Sequence, residues 1–559
     1  MSKITWNTAS CIEIDSAKGL AGKLLSSRGL GEAEIADFLQ PDYKLSLGKP
    51  ETIHDIKAAA ARIEQAVSKS QSIAIYGDYD IDGMTASALL YDFLSALGNT
   101  PLLYIPDRFE EGYGLNSEAL KKLKKQQVDL VISVDCGVTA HQQAALCKKI
   151  GLDLIITDHH EPDGDPPKGA LACVNPKFDK NDYFKNLSGV GVAFCLALVL
   201  QKKLKKPESG HEKWLLDLVA LGTVCDVVPL VGINRALVRY GLLVMQKSRR
   251  PGLKALADTA GVDLAKINES DLGFKIGPRL NAAGRLTHAQ KALDILVSKE
   301  YDQAKLLSAE LNELNYQRQQ ATKTIFDEAN KQARQYRTEP ILVLHSDSWS
   351  HGVVGIVASR IAEKWRKPVL LLQEMGESSK GSARSYGSFN IIEAIRDCSE
   401  ILKTFGGHAF AAGLTIETER IKELRYRLNQ YAINNMSVDN NLKVLDVSIK
   451  SKASANSLGL VEEIGYLAPF GNQNPRPKLM SEFIVDSMKL VGSDASHLRL
   501  ILSDDLGITH DAIGFGMATN YPWLEPGLKI EVAYEVSENV WNNVRKHQIE
   551  LLDIRQTNN

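Results

Sequence analysis

A chain of 559 residues exceeds what one hydrophobic core can organise, so three or four domains are expected. Its 44% hydrophobic and 24% charged content is that of a soluble globular protein, and a net charge of −2 with a pI near 6.7 excludes a globally basic nucleic-acid binder, leaving only local patches. Seven scattered cysteines (Cys11, Cys136, Cys147, Cys173, Cys195, Cys225, Cys398) without a CxxC pair argue against a disulfide framework and a zinc ribbon and fit a reducing cytoplasm.

The opening MSKITWNTASCIEID lacks a signal-peptide core, and the most apolar run, GVGVAFCLALVL at 189–200, is too short to cross a bilayer. No membrane association and a cytoplasmic location are therefore expected. From residue 53 the pattern alternates helix and strand: HDIKAAAARIEQAV then SIAIYG, TASALLYDFLSALG then PLLYIP, SEALKKLKKQ then VDLVISV, HQQAALCKKIG then LDLIIT. Such alternation predicts an α/β fold with a doubly wound parallel sheet, whose ligands bind at the carboxyl ends of the strands.

The residues after each strand are accordingly informative. Asp78, Asp80 and Asp82 follow the first, Asp107 and Arg108 the second, Asp135 the third, and Asp158, His159 and His160 the fourth. Three carboxylates at alternate positions repel one another unless a cation sits among them. An EF-hand loop is excluded, because position 12 counted from Asp78 is Leu89 and a strand precedes the loop. Simple helix capping would need one Asp, not three.

Further along, WLLDLVALGTVCDVVPL reads as a helix ending at Asp226, and GPRLNAAGR as a Gly-flanked loop carrying Arg279, Asn281 and Arg285. No Gly or Pro stands between Gly284 and Pro340, which predicts a long helix joining two domains across a cleft. A second α/β unit begins at PILVLHSD. Short alternating runs from about 442 predict a small β-barrel or sandwich. The lysine clusters 121–125 and 202–206 read as solvated helix faces.

Asp80, Asp82, Asp135, His159, His160 and Asp226 together exceed the needs of one ion, so two divalent cations sharing a carboxylate are expected. Carboxylate and imidazole without thiolate suit Mn²⁺ or Mg²⁺, two per active site, and phosphate-ester hydrolysis. In the second unit, Ser382 and Arg384 of GSARS and Gly406, Gly407 and His408 of FGGHAFAAGL supply phosphate-binding chemistry. Cys136 and Cys225 adjoin proposed ligands but read as packing residues, since no base stands beside them.

Taken together, GDYDIDG, SVDCG, TDHHEP and CDVVPL resemble, in order and spacing, the motifs of the DHH phosphoesterase family, with DHH itself at Asp158-His159-His160. SHGVVGIVASR, GSARS and FGGHAFAAG look like that family's companion (DHHA1-like) domain. With GPRLNAAGR, PDRFEEGYG and an OB-like C-terminal barrel, the chain is similar to the family's bacterial branch of single-strand-specific 5′ to 3′ DNA exonucleases, which act in recombination and repair.

The resemblance implies that Asp80 and Asp135 hold one metal, and Asp82, Asp135, His159 and Asp226 the other. Asp78 matches the motif, with direct ligation left open. His160 would contact the scissile phosphate or orient the attacking water. Arg108, Ser382 and Arg384 would hold a 5′-terminal phosphate, and Arg279, Asn281, Arg285 and His408 the nucleotide backbone. Where some members carry a further His ligand this chain has Tyr76. Tyr521, Trp523, Tyr534 and Trp541 could stack on bases, though barrel core is the better reading.

The implied layout is an N-terminal segment 1–50, a DHH domain 51–285, a long connecting helix 286–339, a DHHA1-like domain 340–437 and an OB-like domain 438–559. Expected partners are single-stranded DNA and, by resemblance, a single-stranded-DNA-binding protein and a DNA helicase; the chain is expected to be a monomer. The alternatives are a small-substrate member acting on oligoribonucleotides or pyrophosphate, disfavoured by length, and an inactive single-strand-binding scaffold, disfavoured because every proposed ligand is kept.

Overall fold

The computed structural model describes residues 4–107, 111–112, 114–436, 443–492, 494–542 and 544–557, and for Lys443 and Trp541 the backbone alone. Its first sheet has five parallel strands in the order Leu102–Tyr104, Ile73–Gly77, Leu130–Val134, Asp153–Thr157, Ala172–Val174. All residues of Ile73–Gly77 and Leu130–Val134 are buried, as a sheet covered on both faces requires. Period-two alternation still sorts them. Ile73, Ile75, Leu130 and Ile132 pack with the helices Ile56–Ser68, Ile81–Ala96 and Gly189–Leu204, whereas Ala74, Tyr76 and Val131 pack with Ser117–Lys125 and His141–Ile150.

The strand order reverses between Ile73–Gly77 and Leu130–Val134, because the chain adds one neighbour on one side and then builds outward on the other. That switch point opens a crevice at the carboxyl ends of these two strands. The three-residue strand Ala172–Val174 is an addition to the four strands expected.

Two expectations need correction. GPRLNAAGR is a helix, Gly277–Leu286, preceded by a π-turn at Leu272–Ile276; Pro278 at the start and Ala282 and Ala283 within favour helix over loop. The connecting segment 286–339 is two helices, Gln290–Val297 and the 35-residue Tyr301–Gln335, broken at Ser298-Lys299-Glu300.

The second sheet runs Leu402–His408, Ala411–Glu417, Ser378–Arg384, Val369–Met375, Leu342–Ser346; only the last pair is parallel. The helix His351–Trp365 covers the Val369–Met375 and Ser378–Arg384 side of one face.

In the C-terminal region Leu479–Val491, His497–Ser503, Thr509–Gly514, Val544–Gln556 and Lys529–Trp541 close into a five-stranded barrel, because Leu479–Val491 pairs with both ends of the series. The N-terminal residues return to it. Ile4–Asn7 pairs with Lys443–Asp446, Ile12–Ile14 with Ile449–Ser451, and helix Leu20–Ser27 adds Leu20, Leu24 and Leu25 to the barrel core. Among the described residues no helix is long and apolar enough to cross a membrane.

Candidate metal centre and substrate grooves

Asp80 caps the helix Ile81–Ala96, its Oδ1 accepting from Gly83 N at 3.0 Å. Asp82, the second residue of this helix, lies in its first turn and is fully buried; its two oxygens accept from Gly189 N at 2.5 Å and Val190 N at 2.9 Å, the first N–H groups of the helix Gly189–Leu204. This helix end supplies positive potential to the carboxylate. Ser188 caps the same helix and meets Thr223 Oγ1 at 2.9 Å, tying it to the helix Leu216–Cys225 that ends at Asp226. A Cβ on Gly189 would fall 2.6 Å from Asp135 Oδ1, so only glycine lets the helix start this close to the carboxylate.

Asp135 follows its strand with φ +59, and Val227, after Asp226, has φ +62. Asp tolerates the left-handed region through its short polar side chain; a β-branched residue there costs about 1–2 kcal/mol. The barrel holds that second turn, since Asn472 Nδ2 donates to Val227 O at 3.0 Å and Asn472 O accepts from Leu230 N at 2.8 Å.

These turns bring together three groups whose ligand atoms lie within 4.8 Å of one another: Asp78, Asp80 and Asp135; Asp82, His159 and Asp226; Asp135, His159 and His160. Asp135 Oδ1 and His159 Nε2 are buried, 3.1 Å apart, and neither takes part in a hydrogen bond. Burial, then the charges of Asp82, Asp80, Asp78 and Asp158, push the Asp135 carboxyl well above the usual range. Burial, Asp226 and Asp80 do the same to Asp82 against its two N–H donors, and burial with Asp80 lifts Asp226 to about 7. Burial, with the neighbouring His160, lowers His159 to about 4, leaving a neutral imidazole. Acids held in one crevice, a neutral imidazole and unbonded buried atoms fit one or two hard divalent cations.

Asp158, which follows the fourth strand, joins none of the three groups and instead organises the two histidines after it. Its Oδ1 accepts from His159 N at 2.7 Å, His160 N at 3.1 Å and His160 Nδ1 at 2.7 Å, and its Oδ2 from Val138 N at 2.8 Å. Burial works against its charge, but His160 and these donors hold it below the usual range. Burial likewise opposes the charge of His160, but the Asp158 hydrogen bond and carboxylate, with Asp226 and Asp80, raise it to about 9. Tyr76, by contrast, is buried on the opposite sheet face, donating to Gly114 O at 3.0 Å. Cys136 and Cys225 are packing thiols, both pushed up chiefly by burial.

Of the expected substrate residues, Arg108 lies outside the described residues. Ser382, Arg384, Gly406 and Gly407 line one groove of about 540 Å³. Ser382 and Arg384 gather beneath Gly355 of the helix His351–Trp365, where a Cβ would meet Arg384 Nη2 at 3.0 Å and Ser382 Oγ at 3.4 Å. His408 ends the strand Leu402–His408, opposite Ala411, and does not line the groove. Asn281 and Arg285 line a second cavity of about 700 Å³ between the helices and the barrel, and Arg285 Nη1 donates to Gly352 O at 3.2 Å. Arg279 lines neither; its guanidinium donates to Asn312 Oδ1 and Lys275 O. Tyr521 and Tyr534 are barrel core, and Trp523 packs against it; the Trp541 side chain lies outside the described residues.

Comparison with known proteins assigns residues 72–223 to the DHH family N-terminal domain, 338–434 to the DHHA1 domain and 446–553 to the RecJ OB domain. The chain is 37% identical over 540 residues to the single-stranded-DNA-specific exonuclease RecJ of Bacillus subtilis, covering 96% of this chain and 67% of that one. For the RecJ of Dickeya dadantii the identity is 32%, with 96% of each chain covered. The crystal structure of Thermus thermophilus RecJ in complex with Mn²⁺ superposes with a TM-score of 0.83 at 28% identity, covering all of this chain and 80% of the other. A manganese-bound exonuclease RecJ matches at TM-score 0.61 and 36% identity, over 68% of this chain and 95% of that one. With three domain models in order and full-length relatives above 30% identity, the chain belongs to the RecJ family within the DHH phosphoesterases.

Proposed function

We propose that the protein is a single-stranded-DNA-specific exonuclease that hydrolyses phosphodiesters from the 5′ end, releasing 5′-mononucleotides. The observation that carries this reading is the pair of buried, unbonded ligand atoms on Asp135 and His159 at the switch point of the sheet. Asp80 and Asp135, with Asp78 within reach, would hold one Mn²⁺ or Mg²⁺; Asp82, Asp135, His159 and Asp226 would hold a second. When bound, such a pair lowers the pKa of a water and neutralises charge on the phosphoryl oxygens.

The chain's own groups do the rest. The Asp158 carboxylate fixes the His160 ring, and as an imidazolium this ring donates a hydrogen bond to a non-bridging oxygen of the scissile phosphate. Ser382 and Arg384, with Arg108, take the 5′-terminal phosphate by hydroxyl and guanidinium donors. Asn281 and Arg285 hold the strand beside the metal edge, Arg279 acts on the backbone only if the strand displaces its contacts with Asn312 and Lys275, and the exposed His408 acts on it from outside the groove. A role in recombination and repair and the partnership with a single-stranded-DNA-binding protein and a helicase follow from the family resemblance, a cytoplasmic location follows from the scattered free cysteines, and the chain acts as a monomer.

The test is product analysis on long single-stranded DNA labelled at either end, with Mn²⁺, Mg²⁺ or chelator. Metal-dependent mononucleotide release from the 5′ end is expected. Tight binding without release would leave a strand-binding scaffold in its place.

A further inference from the structure

Among the described residues, the helix Tyr301–Gln335 carries a cation that no neighbouring acid balances. Arg318 is half-buried and its Nε is buried without a hydrogen-bond partner. Its Nη2 donates to Asn315 Oδ1 at 3.0 Å on the same helix, and among the described residues no carboxylate pairs with it within 4.0 Å. Burial, then the like charge of Arg360 on the facing helix His351–Trp365, holds its pKa below the ordinary arginine value. A desolvated guanidinium with an unused donor is costly unless an anion completes it.

The space beside Arg318 says which anion. The cavity of about 700 Å³ is lined by Cys225 and Val227, which flank Asp226, by Asn281 and Arg285, and by Phe470 and Arg476 of the barrel region. It therefore runs between the candidate metal edge and the barrel. Arg476 lies over the Phe470 ring at 4.6 Å and 4.0 Å from Glu535. Glu535, Glu550 and Glu269 also line the cavity, and of these Glu535 is the one that approaches Arg476, whereas among the described residues none pairs with Arg318.

We propose that Arg318 binds an internucleotide phosphodiester of the single strand on the far side of the scissile linkage, where the strand passes from the metal edge towards the barrel. The inference rests on the exonuclease reading and assigns the long helix a place in the substrate path. Arg318 is a binding residue, remote from the reacting atoms, so its effect depends on substrate length.

The experiment compares wild type with Arg318→Gln on 5′-phosphorylated oligodeoxynucleotides of 2 and 20 nucleotides, and measures binding of the 20-mer in chelator across a salt series. The expected result is a KM about tenfold higher on the 20-mer, with less than a twofold change on the dinucleotide, and a salt slope shallower by about 0.7, the value for one phosphate contact on a single strand. Arg318→Lys should recover the slope while recovering only part of the KM, since it keeps the charge and loses the fork. Equal losses on both lengths, or an unchanged slope, would overturn the assignment. Wild type that binds but cuts neither substrate would refute the exonuclease reading, while the slope would still judge Arg318.

Discussion

His159 Nε2 and Asp135 Oδ1 face each other at 3.1 Å in a buried crevice, and neither forms a hydrogen bond. Were this a structural hydrogen bond, the imidazole N–H would point at the carboxylate; His159 instead belongs with Asp82 and Asp226, 3.8 and 3.6 Å away, as one corner of a ligand cage. In the proposed two-metal arrangement Asp135 would be the ligand shared by both ions. Replacing it by Asn keeps its volume and removes its charge, and should lower single-strand hydrolysis by about 100-fold or more with unchanged circular dichroism. Manganese bound per chain, counted after equilibrium dialysis, should fall from two to one or none. Activity above a tenth of wild type would refute the shared-ligand role.

A pH dependence follows from the crowding of acids. Asp226 is raised to about 7, so without metal it carries a proton below that value. A carboxyl raised in the folded state adds stability that is full below its unfolded value and is lost as pH rises through about 7. Divalent ions bind the deprotonated form, so they compete with the proton below pH 7 and relieve the repulsion above it. Mn²⁺ should therefore raise Tm more at pH 8 than at pH 5.5, and binding near neutral pH should release protons. Calorimetry in two buffers of different ionisation enthalpy reads that release; no buffer dependence would contradict the raised acid.

Gly189 offers a test that leaves every ligand in place. A methyl at this position would collide with Asp135 Oδ1 at 2.6 Å, forcing either the carboxylate or the helix start to move. Gly189→Ala should weaken metal binding and cut activity by at least about tenfold, in the range seen when groups behind a ligand are disturbed. Full activity at low Mn²⁺ would show that the approach of this helix is not what sets the carboxylate.

The first sheet and the metal-bearing loops were legible because apolar runs of five residues end in Asp or His at one edge, a local pattern with a topological rule behind it. What was missed lacked a local signal. Ala172–Val174 is too short to stand out, and Thr509–Gly514 carries Asp511, Ala512 and Gly514, poor strand formers that the barrel pairing overrides. The pairing of Asn7 with Asp446 is parallel and 439 residues apart, beyond any window of periodicity. Arg318 looks in sequence like any cation on a polar helix. Burial beside Arg360, with no acid paired to it among the described residues, distinguishes it.

Arg384 is the residue proposed above to set the end preference. Among the described residues its Nη1 donates only to Ala383 O at 2.8 Å, and burial holds its pKa below the ordinary value, so a charge-assisted partner is worth more here than on an open surface. Beside Ser382 in the groove of about 540 Å³, it is placed to read a terminal phosphate dianion. Such hydrogen bonds contribute about 1.5–3 kcal/mol, or roughly ten- to a hundredfold. Arg384→Ala should therefore lose about that factor on 5′-phosphorylated strands and little on 5′-hydroxyl strands, bringing the two rates together. Competition assays with both ends in one tube give the ratio directly. Equal losses on both ends would mean that Arg384 supports the groove without reading the phosphate, and that polarity is set by groups elsewhere along the strand.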